Sequence, residues 1–361
     1  MSAGAWKETM SSRERTVAAL TGKPYDRIPV NLLISDHAAR VIGVSVGDYN
    51  NSEHLMAKGQ IAAWRSYGAD NVNTGPGLTG VAEAIGSKVV FPDSTPYIAH
   101  NVVVDESSLD TLRVPDPEND GRLPLFLEAA TLVLKEIGDQ VPLTMTCAGP
   151  FTTAAGIRGT APFLRDLRKN PAFAHRLLRL STDSIIRFAK AALERGASIG
   201  LADPTASGTM VSSALFKEFA FPYLRQLCSA VRNECGAAPS LHICGNTTRI
   251  WREMADTGAS VLSLDDAVDL ADAKAEVGGR VALLGNVKPT AAMYLGTPGD
   301  VTRNAKECIA KGWDNPKGYI LGLGCGLPID TPPANIHALV AAAKTYGRWP
   351  HDATAAAKEV L

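Results

Sequence analysis

Two short segments of this 361-residue chain carry side chains suited to holding a soft metal ion. The first is Leu241-His242-Ile243-Cys244-Gly245-Asn246 and the second is Gly322-Leu323-Gly324-Cys325-Gly326-Leu327-Pro328. In an extended strand, residues i and i+2 point to the same side, so His242 and Cys244 can present an imidazole nitrogen and a sulfur to one ion. Cys325, set between glycines in a loop, can add a second sulfur. One imidazole and two thiolates select zinc, and three protein ligands leave a position open for a substrate. The competing reading packs His242 in the core and treats both cysteines as small buried hydrophobes, as free Cys often is. Both segments fall at the C-terminal ends of expected strands, which favours the metal. Cys228, Cys235 and Cys308 stand on helical segments and read as core.

Further candidates lie at other strand ends. In Met145-Thr146-Cys147, Met145 and Cys147 share a face by the period of two, so either could approach the ion as a fourth, displaceable ligand; a core role is the alternative. Asp203 ends the fourth strand, where a carboxylate could orient a metal-bound imidazole, hold a substrate, or cap the turn. Asn246, Asp265 and Asn286 follow the fifth, sixth and seventh strands and are expected to contact substrate.

The elements that must position these groups are short apolar runs alternating with segments of helical period, the pattern of repeated βα units. Strands are expected over 28–33, 69–73, 141–146, 198–202, 240–244, 260–264, 281–284 and 319–321. Helices are expected over 11–20, 52–66, 124–137, 171–195, 213–234, 247–256, 298–311 and 333–345, several opening on Ser, Thr or Pro. Eight such units fit an α/β fold, a single (β/α)8 TIM barrel over 1–361, better than an open doubly wound sheet, because no dinucleotide fingerprint opens the first unit. The stretch 75–117 is extra, with strand-like 88–91 and 97–104, and reads as a hairpin inserted between the second and third strands over one barrel mouth. The Ala-rich tail from 350 onward reads as a frayed end.

Composition narrows the functional class. With 36 Lys+Arg against 37 Asp+Glu and no basic cluster, the chain lacks the electrostatic footprint of a nucleic-acid binder. No apolar run reaches the roughly 18 residues that span a bilayer, and the N-terminus has no apolar signal region, so neither a membrane nor export is expected and the location reads as cytoplasmic. Six cysteines in such a chain are thiols or metal ligands rather than a disulfide framework.

A neutral His with two thiolates balances the charge of zinc, so an entering thiol can bind and lose its proton at neutral pH. Sulfur-rich ligation makes the ion a poorer Lewis acid than the His and carboxylate sets of hydrolases, and the bound thiolate keeps electron density to attack a methyl group. Methyl transfer to sulfur is the chemistry that this ligand set suits.

The run HICGNTT, the distant GLGCGLP followed by DTPPANI, ADPTAS followed by FKEFAFPYL, and LLGNVKP resemble the uroporphyrinogen decarboxylase superfamily, and more closely its zinc-dependent methylcobamide:coenzyme M methyltransferase branch. The resemblance runs from about Ser11 to Trp349. It implies a (β/α)8 barrel with zinc on His242, Cys244 and Cys325, and methyl transfer between a corrinoid-bearing protein and a thiol such as coenzyme M. A demethylase loading Co(I) from a methoxylated or otherwise methylated small molecule, and a non-catalytic module that docks a corrinoid protein, are the alternatives. The decarboxylases carry an Arg-Gln-Ala-Gly-Arg-Tyr segment after the first strand, whose arginines meet the substrate carboxylates. Here residues 31–40 read Asn-Leu-Leu-Ile-Ser-Asp-His-Ala-Ala-Arg, with one late arginine, which disfavours that activity. No Asp-x-His-x-x-Gly corrinoid signature occurs, so the cobamide is expected on a partner protein.

Overall fold

A computed structural model describes residues 6–348. Its strands, in chain order, are β1 (Val30–Asn31), β2 (Val72–Gly77), β3 (Lys88–Val90), β4 (Tyr97–His100), β5 (Leu143–Ala148), β6 (Ser198–Ala202), β7 (Ser240–Ile243), β8 (Val261–Leu264), β9 (Ala282–Val287) and β10 (Tyr319–Leu323). Eight of them form one parallel sheet in the order β1-β10-β9-β8-β7-β6-β5-β2, and β3 and β4 pair antiparallel as a separate hairpin. Each strand expected from the apolar runs is present, shifted at its ends by a few residues. The sheet curls so that β2 returns to β1. There the Asp70 amide donates to the Val30 carbonyl at 2.7 Å. Beside it, the Asn71 side chain accepts from Leu32 N at 2.7 Å and donates to Leu32 O at 3.0 Å. A side-chain amide thus stands in for the missing ladder and closes a (β/α)8 barrel.

Period-two alternation sorts the strand residues. Leu241, Ile243, Leu262, Leu264 and Leu283 are fully buried against the helical layer. Their alternates Thr144, Thr146, Ser198, His242 and Ser263 turn inward, and Thr144 and Ser198 hydrogen-bond across β5 and β6 at 2.9 Å. Polar side chains therefore line much of the barrel interior.

The outer helices start where the sequence signals them. Ser11 and Glu14 form a capping box on Ser12–Leu20, Ser52 caps Glu53–Tyr67, and Thr297 and Asp300 form a box on Pro298–Gly312. Gly68, at φ 70°, ends the second of these in a left-handed turn that returns the chain to the sheet. Helices Gly80–Ile85, Pro150–Arg158, Thr160–Lys169 and Leu270–Val277 were not expected. The insertion is correspondingly richer than a hairpin: β2 runs through Gly77, the helix Gly80–Ile85 follows it, and Glu106–Asp110 comes after the hairpin. The Ala-rich tail lies outside the described residues.

Below the barrel, at the N-terminal ends of the strands, lies a buried charge cluster. Asp70 takes Arg15 Nη1 at 2.5 Å on one oxygen, and on the other takes Arg27 Nη1 at 2.6 Å and the Val30 amide at 2.8 Å. Asp26 takes Arg15 Nε at 2.6 Å. Both guanidiniums are at most 2% exposed. Removing the shared carboxylate leaves buried positive charge short of its partner, which costs about 3–5 kcal/mol. Asp70→Ala is expected to lower unfolding stability by about that amount, read as a denaturant midpoint shift at unchanged slope. A loss below about 1 kcal/mol would mean that the cluster is solvated rather than structural.

Candidate functional site

At the C-terminal mouth, His242 is the last inward residue of β7 and Cys244 follows one residue beyond the strand. Gly245, at φ 75°, then turns the chain sharply away, a conformation that side chains avoid. Cys325 follows β10, on the loop that starts at Gly324. The Gly324 amide donates to Val287 O at 2.8 Å, and a Cβ on Gly324 would meet Asp266 N at 2.5 Å. Glycine is thus required for this loop to lie against the one after β8.

The result is one cluster built from three strand ends. His242 Nε2 lies 3.2 Å from Cys244 Sγ, and Cys244 Sγ lies 3.6 Å from Cys325 Sγ. Asp265, just past β8, brings a carboxylate oxygen into the group, so that the four ligand atoms all lie within 4.8 Å of one another.

The imidazole has a defined orientation. His242 Nδ1 lies 3.1 Å from the Ser263 carbonyl and 3.2 Å from Ser263 Oγ. A carbonyl only accepts, so Nδ1 carries the hydrogen and Nε2 turns its lone pair to the sulfurs. Between the thiols, the hydrogen bond from Cys244 holds Cys325 far below an ordinary thiol, while the same contact and burial push Cys244 up. Of the two thiols, Cys325 is therefore the one that ionises first.

Beside the cluster opens a cavity of about 430 Å³, within the range for small-molecule sites. His242, Cys244 and Cys325 form part of its wall. Asp36 and Arg122 line it as well, with an apolar side from Phe126 and Leu327, and the turn of the β3–β4 hairpin contributes Thr95 and Pro96. Arg122 is the only Lys or Arg among the lining residues, and its charge is paired: Nε donates to both Glu83 oxygens at 2.9 and 3.1 Å and Nη1 to Asn50 O at 2.6 Å.

Other expected contacts lie elsewhere. Thr146 faces the cavity, so Met145 and Cys147 face the helical layer, both wholly buried. Cys147 Sγ points to Gly200 O at 3.8 Å, burial raises its thiol to about 12, and neither residue joins the cluster. Asp203 is buried too, accepting from Thr152 N at 2.6 Å and Phe151 N at 3.3 Å. It caps the helix Pro150–Arg158 from outside, and Ser263 rather than Asp203 orients His242. Asn246 is exposed, its side chain accepting from Thr248 N at 3.1 Å in a local turn. Asn286 donates to Asp265 O at 3.0 Å and Val268 O at 2.8 Å, so it fixes the loop that carries Asp265 rather than reaching a ligand. Ser263 and Asp36 escaped the sequence reading. A serine inside an otherwise apolar strand was the available signal for Ser263.

The model of a family described as uroporphyrinogen decarboxylase (URO-D) matches residues 11–346. A methylcobamide:CoM methyltransferase of Methanosarcina barkeri is 30% identical over 92% of this chain and 98% of its own. A uroporphyrinogen decarboxylase of Anaeromyxobacter dehalogenans is 29% identical over 92% and 99%. Among solved structures, a methyltransferase from Methanosarcina mazei superposes with a TM-score of 0.85 at 29% identity, covering 93% of this chain and 98% of that one.

Asp203 offers a measurable check on the placement of the fourth strand end. Burial raises its carboxyl to about 6 from 3.8, against the hydrogen bonds from Thr152 and Phe151. A carboxyl whose folded pKa is raised contributes stability that is complete below the unfolded value and is lost as pH climbs through the folded one. Between pH 4 and pH 6.5 the contribution of Asp203 should fall by about 2 kcal/mol. Unfolding titrations across that window are expected to show this slope in the wild type and a flatter profile in Asp203→Asn; identical profiles would place the carboxylate in water.

Proposed function

Since the chain belongs to the uroporphyrinogen decarboxylase family, which here embraces both decarboxylases and methyltransferases, we propose from its site that it is a zinc-dependent methyltransferase carrying methyl from a methylcobamide to a thiol. The single observation behind this reading is the His242–Cys244–Cys325 cluster in the wall of a cavity. The donor set fits zinc: an imidazole lone pair turned to two sulfurs, one already favouring the thiolate, with ligand atoms near enough to share one ion. Asp265 is the fourth donor in reach, a hard oxygen that a softer sulfur can displace. When bound, zinc would let an entering thiol be present as thiolate at neutral pH, where a free thiol of pKa near 8.5 is only a few per cent ionised.

The chain's own groups do the rest. Ser263 holds the imidazole tautomer that leaves Nε2 free. Asn286 holds the Asp265 loop in place. The apolar wall and the β3–β4 turn bound the space beside the reacting sulfur. In the reaction the sulfur forms a bond to the methyl carbon as the Co–C bond breaks, and both electrons of that bond remain on cobalt. The cobamide must reach the mouth from outside, on a partner protein. Leu78, Met210, Tyr294 and Leu295, all 41–72% exposed, stand on segments that follow strand C-termini and offer an apolar rim for that approach.

Decarboxylation of a polycarboxylate fits the cavity poorly. Such a substrate needs several cations, and Arg122 is committed to Glu83. Arg40, the one arginine of the 31–40 segment, pairs with Asp93 and Asp330, each at 3.0 Å.

Metal analysis of purified protein is expected to give near one zinc per chain, falling to a small fraction in Cys325→Ala and staying at the wild-type level in Cys147→Ala. With a methylcobamide donor and a small thiol, the wild type should produce cob(I)alamin absorbance and the Cys325 variant should lose at least about 100-fold in rate. Zinc-free wild type with full activity would end the proposal.

A further inference from the structure

Asp36 is a cavity carboxylate for which the chemistry above has no use. It follows β1 and stands at the N-cap position of the helix His37–Val41, yet its side chain makes no capping bond to that helix. The residue before it, Ser35, takes a φ of 45°, a left-handed conformation that is costly for a residue with a Cβ. Asp36 lines the cavity and has one side-chain partner among the described residues, the Asn50 amide, which donates at 2.9 Å.

Among the described residues no cation pairs with it. Arg40, four residues on, is bound to Asp93 and Asp330, and Arg122 is bound to Glu83 and the Asn50 carbonyl. Of the charged groups on the cavity wall outside the sulfur cluster, Asp36 therefore carries a negative charge that no cation among the described residues neutralises. Its carboxyl is raised by burial, with Asn50 offsetting this in part, the state of an acid awaiting a donor. An unpaired carboxylate in a half-closed cavity repels an anionic ligand and rewards a cation or a strong hydrogen-bond donor.

Resting on the methyltransferase reading, we infer that the small substrate sharing this cavity is an amine-bearing thiol or thioether, recognised through its ammonium group by Asp36, and not a sulfonated or carboxylated one. The sulfur end takes the position at His242, Cys244 and Cys325, and the cationic end takes Asp36. Specificity then has an attractive part, the charge-assisted hydrogen bond, and a repulsive part, the exclusion of acids.

Three thiols of one length isolate the charge: cysteamine, 2-mercaptoethanol and 2-mercaptoethanesulfonate, with 3-mercaptopropylamine as a longer cation. In a methyl-transfer assay with zinc-loaded full-length protein and a methylcobamide donor, the better of the two amines is expected to exceed the sulfonate by about tenfold or more in kcat/KM. In Asp36→Asn, which keeps an acceptor for Asn50, that ratio should fall to about one. The ratio is taken within each preparation, so a general loss of activity does not move it. Calorimetric titration of the same thiols into the zinc-loaded protein reads the preference without turnover. An amine preference in binding that Asp36→Asn abolishes, with no transfer to any thiol, would keep the Asp36 assignment and remove the methyltransferase reading. Transfer that is indifferent to charge, or faster with the sulfonate, would remove the assignment and leave the methyltransferase reading standing.

Discussion

Everything at the mouth of this barrel follows from three groups with competing demands for protons being held in contact. An imidazole and two thiols within 3.2 and 3.6 Å cannot all be satisfied by one another. The Ser263 carbonyl takes the Nδ1 hydrogen, so Nε2 has only a lone pair to offer, and one thiol gains a hydrogen bond only as the other becomes the acceptor. The arrangement stays poised because its carriers are rigid: β7, β8 and β10 are knitted into one sheet, and the loops after β8 and β10 touch at Gly324. Replacing that glycine would push the Cys325 loop off Asp266, and the cluster would open without any ligand having been changed.

Much of this was legible in the sequence, for identifiable reasons. The His-x-Cys spacing is a statement about strand parity, which needs no tertiary information. The apolar runs marked every barrel strand because each buries its outward face on helices. Parity alone could not say which face of β5 turns inward. Met145 and Cys147 do share a face, but the hydroxyl-bearing Thr144 and Thr146 take the polar interior and leave the sulfur-bearing pair outside. Register was equally out of reach. His242 stands opposite Ala202 on one side and Ser263 on the other, so the imidazole's partner comes from β8, although Asp203 lies at the end of β6. The unexpected helices Gly80–Ile85 and Pro150–Arg158 are short segments that are buried almost throughout, and a helix without an exposed face shows no period to read.

Asp36 marks a different limit. A lone carboxylate in a loop has no pattern at all, and its meaning depends on what surrounds it after folding. The same segment that carries cations in the decarboxylases here offers Ser35 and Asp36, with Arg40 turned to Asp93 and Asp330. Barrel, cavity position and strand-end geometry are properties of the framework, whereas the sign of the charge on the cavity wall is decided by a few loop residues. One framework can therefore serve substrates of opposite charge.

The sulfur-rich ligand set and the cavity electrostatics also constrain each other. A zinc ion with two thiolates and a neutral imidazole carries no net charge, so it exerts little long-range pull on an incoming anion. Orientation of a small substrate would then rest on the remaining cavity wall, where Asp36 has no cation partner among the described residues and the guanidinium is already paired. Had the ligands been imidazoles alone, the ion would have kept its double positive charge and a carboxylate in the same cavity would have competed for it. Two thiolates weaken the pull of such an ion on a carboxylate that lies outside the ligand cluster, as Asp36 does.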